Sequence, residues 1–405
     1  MRTLTLLAGA ALVLASCGSG DATPETDDEV TATTTETEEP TTSSPPATVE
    51  PGEEVASALD DMNDPSFPEP LVDPDEIISG GPPPDGIPPI DGPSFVSVEE
   101  ADEWIGDDEP VLYLDVNDEV KAYPIQILMW HEIVNDTVGG VPVAVTYCPL
   151  CNSAVTFRRE IGDQVTTFGT SGRLFASALV MYDRATESLW THFDGRAVVG
   201  ALTGQELEPS SSPLIGWSDF KQSFPDAQVL DRESTGYDRP YGQNPYAGYD
   251  DPGTDPFLFR GDVDDRAVAK QRVVGVTVED SAKAWALEAL MDGPASATND
   301  QVGDTPVVIF WKEGQASALE GGQVVSGRDV GSAAVLSPVV DGETLTFSTD
   351  GEEFVDDQTG SRWDITGTAV SGELSGTSLE QINHLDTFWF AWSTYQPETE
   401  LVEDV

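Results

Sequence analysis

The side chains best suited to metal binding or redox chemistry are those of two cysteines separated by two residues. Cys148 and Cys151 enclose Pro149 and Leu150, and Cys17 is the only other cysteine of the sequence. Two thiolates at this spacing can hold Zn²⁺ or Cu⁺, which favour sulfur ligands. A second Cys-x-x-Cys pair is absent from the 405 residues. A structural zinc closed by four cysteines of one chain is therefore excluded, and a metal would need other ligands.

The three histidines of the chain are the candidate nitrogen ligands. His131 lies on the segment before the cysteine-bearing strand, so it can fold back beside the pair, whereas His192 is a weaker candidate and His384 lies far along the chain. Three ligands with an open position are typical of a catalytic or transfer site. Glu132 adjoins His131, but neighbouring side chains point in different directions on a helix or a strand. We therefore expect no contact between these two.

The local sequence around the cysteines supports the metal interpretation. Tyr-Cys-Pro-Leu-Cys-Asn is similar to the knuckle of rubredoxins and zinc ribbons, in which the residue after the second cysteine takes a left-handed conformation. Asn152 stands there, and asparagine adopts this conformation at low cost.

Two other interpretations of the pair remain open. Cys-Pro-Leu-Cys also resembles the active-site pair of thioredoxin-like oxidoreductases, with Cys148 as nucleophile and Cys151 as resolving thiol. Those proteins place the first cysteine at a helix N-terminus, which lowers its pKa, whereas here Ala154 to Phe157 alternate as a strand. The third interpretation is a pair of buried thiols or a small disulfide in a non-catalytic surface binding protein, where so short a ring adds little stability.

A repeated pattern of residues distinguishes the positions expected to form the fold from those expected to carry the function. The first copy contains Asp183, Thr186, Ser188 and Trp190, and the second contains Asp356, Thr359, Ser361 and Trp363. An internal repeat of this kind predicts two homologous halves. Aligning Pro142 with Pro306 places Lys312 and Gln315 at the cysteine positions, and Gly293 and Pro294 stand at those of His131 and Glu132. The shared residues are expected to form the fold, and the residues of one copy alone to carry the function.

Short alternating segments punctuated by glycine predict a β-rich α+β fold made of these two halves. Asn117-Asp118 is expected to turn a hairpin, and Pro124 to Trp130 and Ser218 to Phe224 are expected to be short helices. The predicted segments are a first half over 97–235, a connecting loop over 236–270 and a second half over 271–405. Gly169 to Arg173 lies between strands, and we favour a tight hairpin over presentation of Arg173 and backbone amides to an anion.

The N-terminus predicts export and a membrane anchor. Residues 1–17 have Arg2, a short apolar run and then Leu-Ala-Ser-Cys, which resembles a bacterial lipobox ending at Cys17. A run this short is a signal peptide rather than a spanning helix. Lipidation of Cys17 would anchor the protein to the outer face of the cytoplasmic membrane. Residues 18–96 are rich in Thr, Glu, Asp and Pro and predict a disordered acidic linker.

The charge of the chain limits its partners. With 74 acidic and 18 basic residues, the formal net charge is −56. This balance argues against nucleic acid and anionic lipid headgroups as partners. The sequence identifies no protein partner.

Several runs resemble a bacterial and archaeal family of unknown function, DUF3179. They are Ala122-Tyr123-Pro124, Trp130 to Asp136, Val145 to Cys151, Phe168 to Gly172, Met181 to Arg184, Ser188 to Trp190 and Phe388 to Trp392. The resemblance covers residues 105–400 and implies no specific activity, because the family has none assigned. His131 and both cysteines match the family pattern, whereas the family more often carries Gln at position 192. We therefore predict an extracytoplasmic lipoprotein that binds copper or zinc through Cys148, Cys151 and His131, with His192 as the weaker ligand.

Overall fold

The computed structural model describes residues 55–404, which form a β-rich arrangement with a few short helices. The strands of the first part are β1 (Ile78–Ser79), β2 (Phe95–Ser97), β3 (Pro110–Val116), β4 (Glu119–Pro124), β5 (Ile133–Val138), β6 (Val141–Cys148), β7 (Ser153–Arg158), β8 (Glu160–Ile161), β9 (Gln164–Val165), β10 (Phe168–Phe175), β11 (Ala178–Asp183), β12 (Leu189–Thr191), β13 (Ala197–Val199), β14 (Pro209–Ser210), β15 (Leu214–Gly216) and β16 (Gln228–Leu230).

Residues 231–271 contain no helix or strand, and a second series of strands follows them. These are β17 (Arg272–Val278), β18 (Ser281–Ala286), β19 (Ala295–Val302), β20 (Thr305–Lys312), β21 (Ser332–Leu336), β22 (Val339–Val340), β23 (Glu343–Thr344), β24 (Phe347–Asp350), β25 (Glu353–Asp356), β26 (Arg362–Trp363), β27 (Ala369–Ser371), β28 (His384–Phe388) and β29 (Glu400–Val402).

The helices are short and lie between strands along the chain. They are α1 (Val98–Ala101), α2 (Ile125–His131), α3 (Trp217–Ser223), α4 (Leu287–Leu290) and α5 (Trp389–Tyr395), with 3₁₀ turns at Pro74–Glu76 and Val324–Ser326. The two helices expected from the sequence are confirmed as α2 and α3, each within one residue. Within residues 55–404, no helix has the length and apolar character needed to cross a membrane.

Three sheets of the first series have counterparts of the same strand order in the second. The order β15-β3-β4-β16 is matched by β28-β17-β18-β29, and β7-β6-β5 by β21-β20-β19. The order β10-β11-β12-β13 is likewise matched by β24-β25-β26-β27. In each series the last strand of the first sheet runs parallel to its neighbour, as β16 does to β4 and β29 to β18. The predicted β-rich fold class is confirmed.

Local turn chemistry explains the hairpins. Asn117 and Asp118 have φ angles of 51° and 66° between β3 and β4, and positive φ at both central residues is what a tight two-residue hairpin requires. This confirms the predicted hairpin. The hairpin expected at Gly169 to Arg173 is wrong, because these residues lie inside β10, where the pairing with β11 shifts between Thr170 and Arg173. Gly172, with φ at 71°, allows this bulge.

The segment 55–96 is ordered, so the prediction of a disordered linker is wrong for this part of 18–96. Ala58 and Ile77 are buried against the sheet of β10 and β11, and Ile90 joins the core around the cysteines. Asp85 and Asp91 both pair with Arg184. A prediction from amino-acid composition alone does not account for these few buried apolar side chains and long-range ion pairs. The predicted signal peptide, Cys17 and the linker up to residue 54 lie outside the described residues.

Candidate metal centre

The two cysteines occupy the turn between β6 and β7. Cys148 ends β6 and pairs with Ser153 at the start of β7. Asn152 has a φ angle of 51°, so the predicted left-handed residue after Cys151 is confirmed. A strand rather than a helix follows Cys151. The helix dipole that activates thioredoxin-like cysteines is therefore absent from this turn.

Residues distant in sequence hold the turn in place. The Cys151 carbonyl accepts hydrogen bonds from the Thr387 hydroxyl at 2.8 Å and the Phe388 N–H at 3.1 Å, both on β28. The Tyr249 hydroxyl donates to the Leu150 carbonyl at 3.0 Å. The second series of strands and the loop before it therefore both help to fix the cysteine positions.

His192 completes a compact group with the two cysteines. One ring nitrogen of His192 and the two Sγ atoms all lie within 4.8 Å of one another. Cys148 is 1% exposed, and Cys151 and His192 are fully buried. The backbone N–H of His192, just after β12, donates to the Leu179 carbonyl of β11 at 3.1 Å. The central strands of this sheet thus place the imidazole next to the sulfur atoms.

The hydrogen bonds around the sulfur atoms favour a thiolate at Cys148. Burial raises the pKa of Cys148, but hydrogen bonds from the Cys151 thiol and from the backbone amides of Cys151, Leu179 and Leu150 outweigh it and lower the pKa overall. Burial and the neighbouring Cys148 raise the pKa of Cys151 well above its usual value, although the Ser153 hydroxyl lies 2.9 Å from its sulfur. Of the two thiols, Cys148 is therefore the easier to ionise, and a bound metal ion would require both as thiolates.

His192 is a neutral imidazole with an unused nitrogen. Burial lowers its pKa to about 3, so the ring carries no charge near neutral pH. Its Nδ1 lies 3.5 Å from the Ser153 hydroxyl, and its Nε2 has no hydrogen-bond partner among residues 55–404. Buried polar atoms are almost always paired, and neutral imidazole is the form that binds metals. The orphaned nitrogen is therefore consistent with a ligand.

His131, expected from the sequence as the nitrogen ligand, lies outside this group. Its Nδ1 is 2.7 Å from the Pro88 carbonyl, and its Nε2 is 2.6 Å from the Tyr241 hydroxyl. Both ring nitrogens are therefore occupied, and the histidine that groups with the two cysteines is His192 instead. The His384 ring is also engaged, with the Ile382 and Ala333 carbonyls.

The backbone at the end of α2 explains why His131 turns away. Glu132 follows it with a φ of 58° and a ψ of −33°, a strained conformation for a residue other than glycine. The chain reverses there into β5, and the Glu132 side chain is directed into the protein, where it interacts electrostatically with Cys148. The two neighbours make no hydrogen bond to each other within the described part of the chain, in line with the sequence expectation.

One sequence signal would have found His192. The register that aligns Trp190 with Trp363 also aligns His192 with Ile365. His192 is therefore confined to one copy of the repeated pattern, as the two cysteines are.

Comparison with known proteins gives one match. A family model described as "Protein of unknown function (DUF3179)" matches residues 84–399. No curated protein and no solved structure matches the chain.

Proposed function

The chain belongs to the DUF3179 family, and from that premise we propose that it is an extracytoplasmic protein that binds a soft transition metal, copper or zinc, through Cys148, Cys151 and His192. The observation that carries this proposal is the buried convergence of two sulfur atoms and an imidazole nitrogen within 4.8 Å. The family description assigns no activity, so the function must be argued from this site.

The ligand set favours soft metals over Mg²⁺ and Ca²⁺. Thiolate and imidazole ligands select Cu⁺ and Zn²⁺, whereas Mg²⁺ and Ca²⁺ require several oxygen ligands. The group contains no carboxylate. Three protein ligands match a three-coordinate Cu⁺, or a Zn²⁺ that keeps one position for an outside ligand.

Thiol–disulfide exchange by Cys148 and Cys151 is the rival function. The lowered pKa of Cys148 favours it, because the thiolate is the attacking species. Burial disfavours it: exchange needs a partner disulfide to reach the sulfur, and the two cysteines are at most 1% exposed. Metal binding is the better account, because an ion can enter where a protein disulfide cannot. A non-catalytic surface binding protein is the remaining alternative.

We also propose that the two series of strands arose by internal duplication. The three matched strand orders support this, as does a buried turn that recurs with the same contacts. Asp183 accepts hydrogen bonds from Thr186, Ser188 and Trp190. Asp356 accepts the equivalent bonds from Thr359, Ser361 and Trp363. The proposed ligands have no equivalent in the second copy, which supports assigning the proposed function to the first.

The proposed location is the outer face of the cytoplasmic membrane, with Cys17 as the lipidated residue. The lipobox-like Leu14 to Cys17 supports this proposal. The reducing cytoplasm would keep the two thiols free, whereas outside it a bound metal protects them from oxidation.

Exchanging one histidine at a time tests the ligand assignment. We expect His192→Gln to weaken Cu⁺ binding by more than the roughly 10–100-fold that changes beyond the ligands cause, because it removes a ligand. His131→Asn is the matched control and should leave the affinity within about threefold, because both ring nitrogens of His131 are engaged elsewhere. Competition with a chromophoric Cu⁺ chelator measures both affinities. A larger loss in the His131 variant than in the His192 variant would refute the assignment.

A further inference from the structure

A cavity of about 210 Å³ lies beside the proposed metal site. Leu150 and Leu179 form part of its wall, and the backbone amides of the same two residues donate to the Cys148 sulfur. The cavity and the Cys148 sulfur therefore share a wall. Its lining is mainly apolar, and its polar side chains are those of Glu132, Thr170, Arg173 and Tyr246.

Glu132 shows three signs of a functional residue. It is only 7% exposed, and its carboxylate forms no hydrogen bond or ion pair with any residue in the described range 55–404. Its positive φ of 58° is strained, and such strain persists mainly at sites where function requires it. The second copy has Pro294 at the aligned position, so the fold does not require the carboxyl group.

Arg173 has most of its guanidinium donors unpaired among residues 55–404. The chain has 74 acidic and 18 basic residues, yet Arg173 forms no ion pair with a carboxylate of the described residues. Its one side-chain hydrogen bond goes from a terminal nitrogen to the Leu59 carbonyl at 3.1 Å. A guanidinium group with donors to spare is suited to the two oxygens of a carboxylate ligand.

We infer that this cavity binds a small organic monocarboxylate, with its carboxylate on Arg173 and Glu132 and its apolar part against Leu150 and Leu179. The size fits, because a closed cavity of about 150 Å³ holds benzene. The Glu132 carboxyl group is buried, and burial disfavours its charged form, so it can share a proton with the ligand carboxylate. The inference rests on the proposed function, since it identifies the molecule that lies next to the metal.

Calorimetric titration with benzoate, and with benzamide as the uncharged analogue, tests this inference on metal-free and Cu⁺-loaded protein. We expect benzoate to bind both forms, and benzamide to bind at least about tenfold more weakly, the difference expected for a hydrogen bond to a charged group. Arg173→Met should weaken benzoate binding by the same factor or more. Arg260→Met is the matched control and should leave binding unchanged, because Arg260 is exposed and its side chain forms no hydrogen bond or ion pair within residues 55–404.

The outcomes separate this inference from the metal proposal. Equal binding of benzoate and benzamide, or full binding by the Arg173→Met variant, overturns the carboxylate site. Should that variant not fold, Arg173→Lys replaces it, and the account then requires intermediate affinity, because lysine keeps the charge but loses the paired donors. Benzoate binding by a protein that takes up no copper supports the cavity ligand and overturns the proposed function.

Discussion

The double variant Cys148→Ser/Cys151→Ser is expected to retain no copper or zinc, whereas the unaltered protein holds one ion per chain. Serine keeps nearly the same volume but removes both sulfur ligands, and a single buried imidazole cannot hold a soft metal against competing chelators. Elemental analysis after metal loading and removal of excess metal measures the effect.

Cys17→Ser is the matched control, because it replaces the third cysteine, which is not one of the proposed ligands. We expect its metal content to equal that of the unaltered protein. Metal content unchanged in the double variant would end the metal hypothesis. Loss of metal from the Cys17 variant as well would mean that the three thiols act together.

Asp183→Ala is expected to destabilise the protein by about 3–5 kcal/mol, because it removes the shared acceptor of several buried hydrogen bonds. Asp183 is fully buried and accepts from the Thr186 N–H at 2.7 Å, the Trp190 Nε1 at 3.0 Å and the Ser188 N–H at 3.2 Å. Alanine leaves these donors buried without a partner, and each orphaned donor costs about 1–3 kcal/mol. Urea unfolding followed by tryptophan fluorescence measures the change.

The same substitution in the second copy provides an internal comparison. Asp356 accepts from the Thr359 N–H at 2.6 Å, the Trp363 Nε1 at 3.0 Å and the Ser361 N–H at 3.1 Å, so Asp356→Ala should cost a similar amount. Asp163→Ala, at an exposed position, should stay within about 0.5 kcal/mol of the unaltered protein. A cost for Asp183→Ala as small as that of the exposed control would contradict the account of this turn.

Local features of the fold could be predicted from the sequence because they depend on neighbouring residues. Asn117-Asp118 requires a particular turn, Asn152 tolerates a left-handed backbone, and alternation after Cys151 indicates a strand. Each of these predictions is confirmed by the backbone angles or the strand bounds. The proximity of the two cysteines was likewise predictable from their spacing.

The choice of histidine could not be predicted from proximity in sequence. His131 is 17 residues from Cys148 and His192 is 44 residues away, but the reversal at Glu132 directs the nearer ring elsewhere. The pairing of β11 and β12 brings the distant one to the sulfur atoms. Such long-range pairing is invisible to local patterns. Comparison of the two repeated patterns would have identified His192, because Ile365 stands at the aligned position of the second pattern.

The ordered structure of residues 55–96 could not be predicted from amino-acid composition either. Only a few apolar side chains, among them Ile77 and Ile90, anchor this segment, and the average over a proline- and acid-rich stretch conceals them. The ion pairs of Asp85 and Asp91 with Arg184 join positions more than 90 residues apart. Composition predicts disorder well only where no such partners exist elsewhere in the chain.

X-ray absorption spectroscopy of the zinc-loaded protein tests the central proposal most directly. The account predicts two sulfur neighbours at about 2.3 Å and one imidazole nitrogen at about 2.0–2.1 Å from the ion, with the imidazole signal lost in the His192→Gln variant. A spectrum with only oxygen and nitrogen neighbours, or two sulfur neighbours without an imidazole, would contradict a site formed by Cys148, Cys151 and His192.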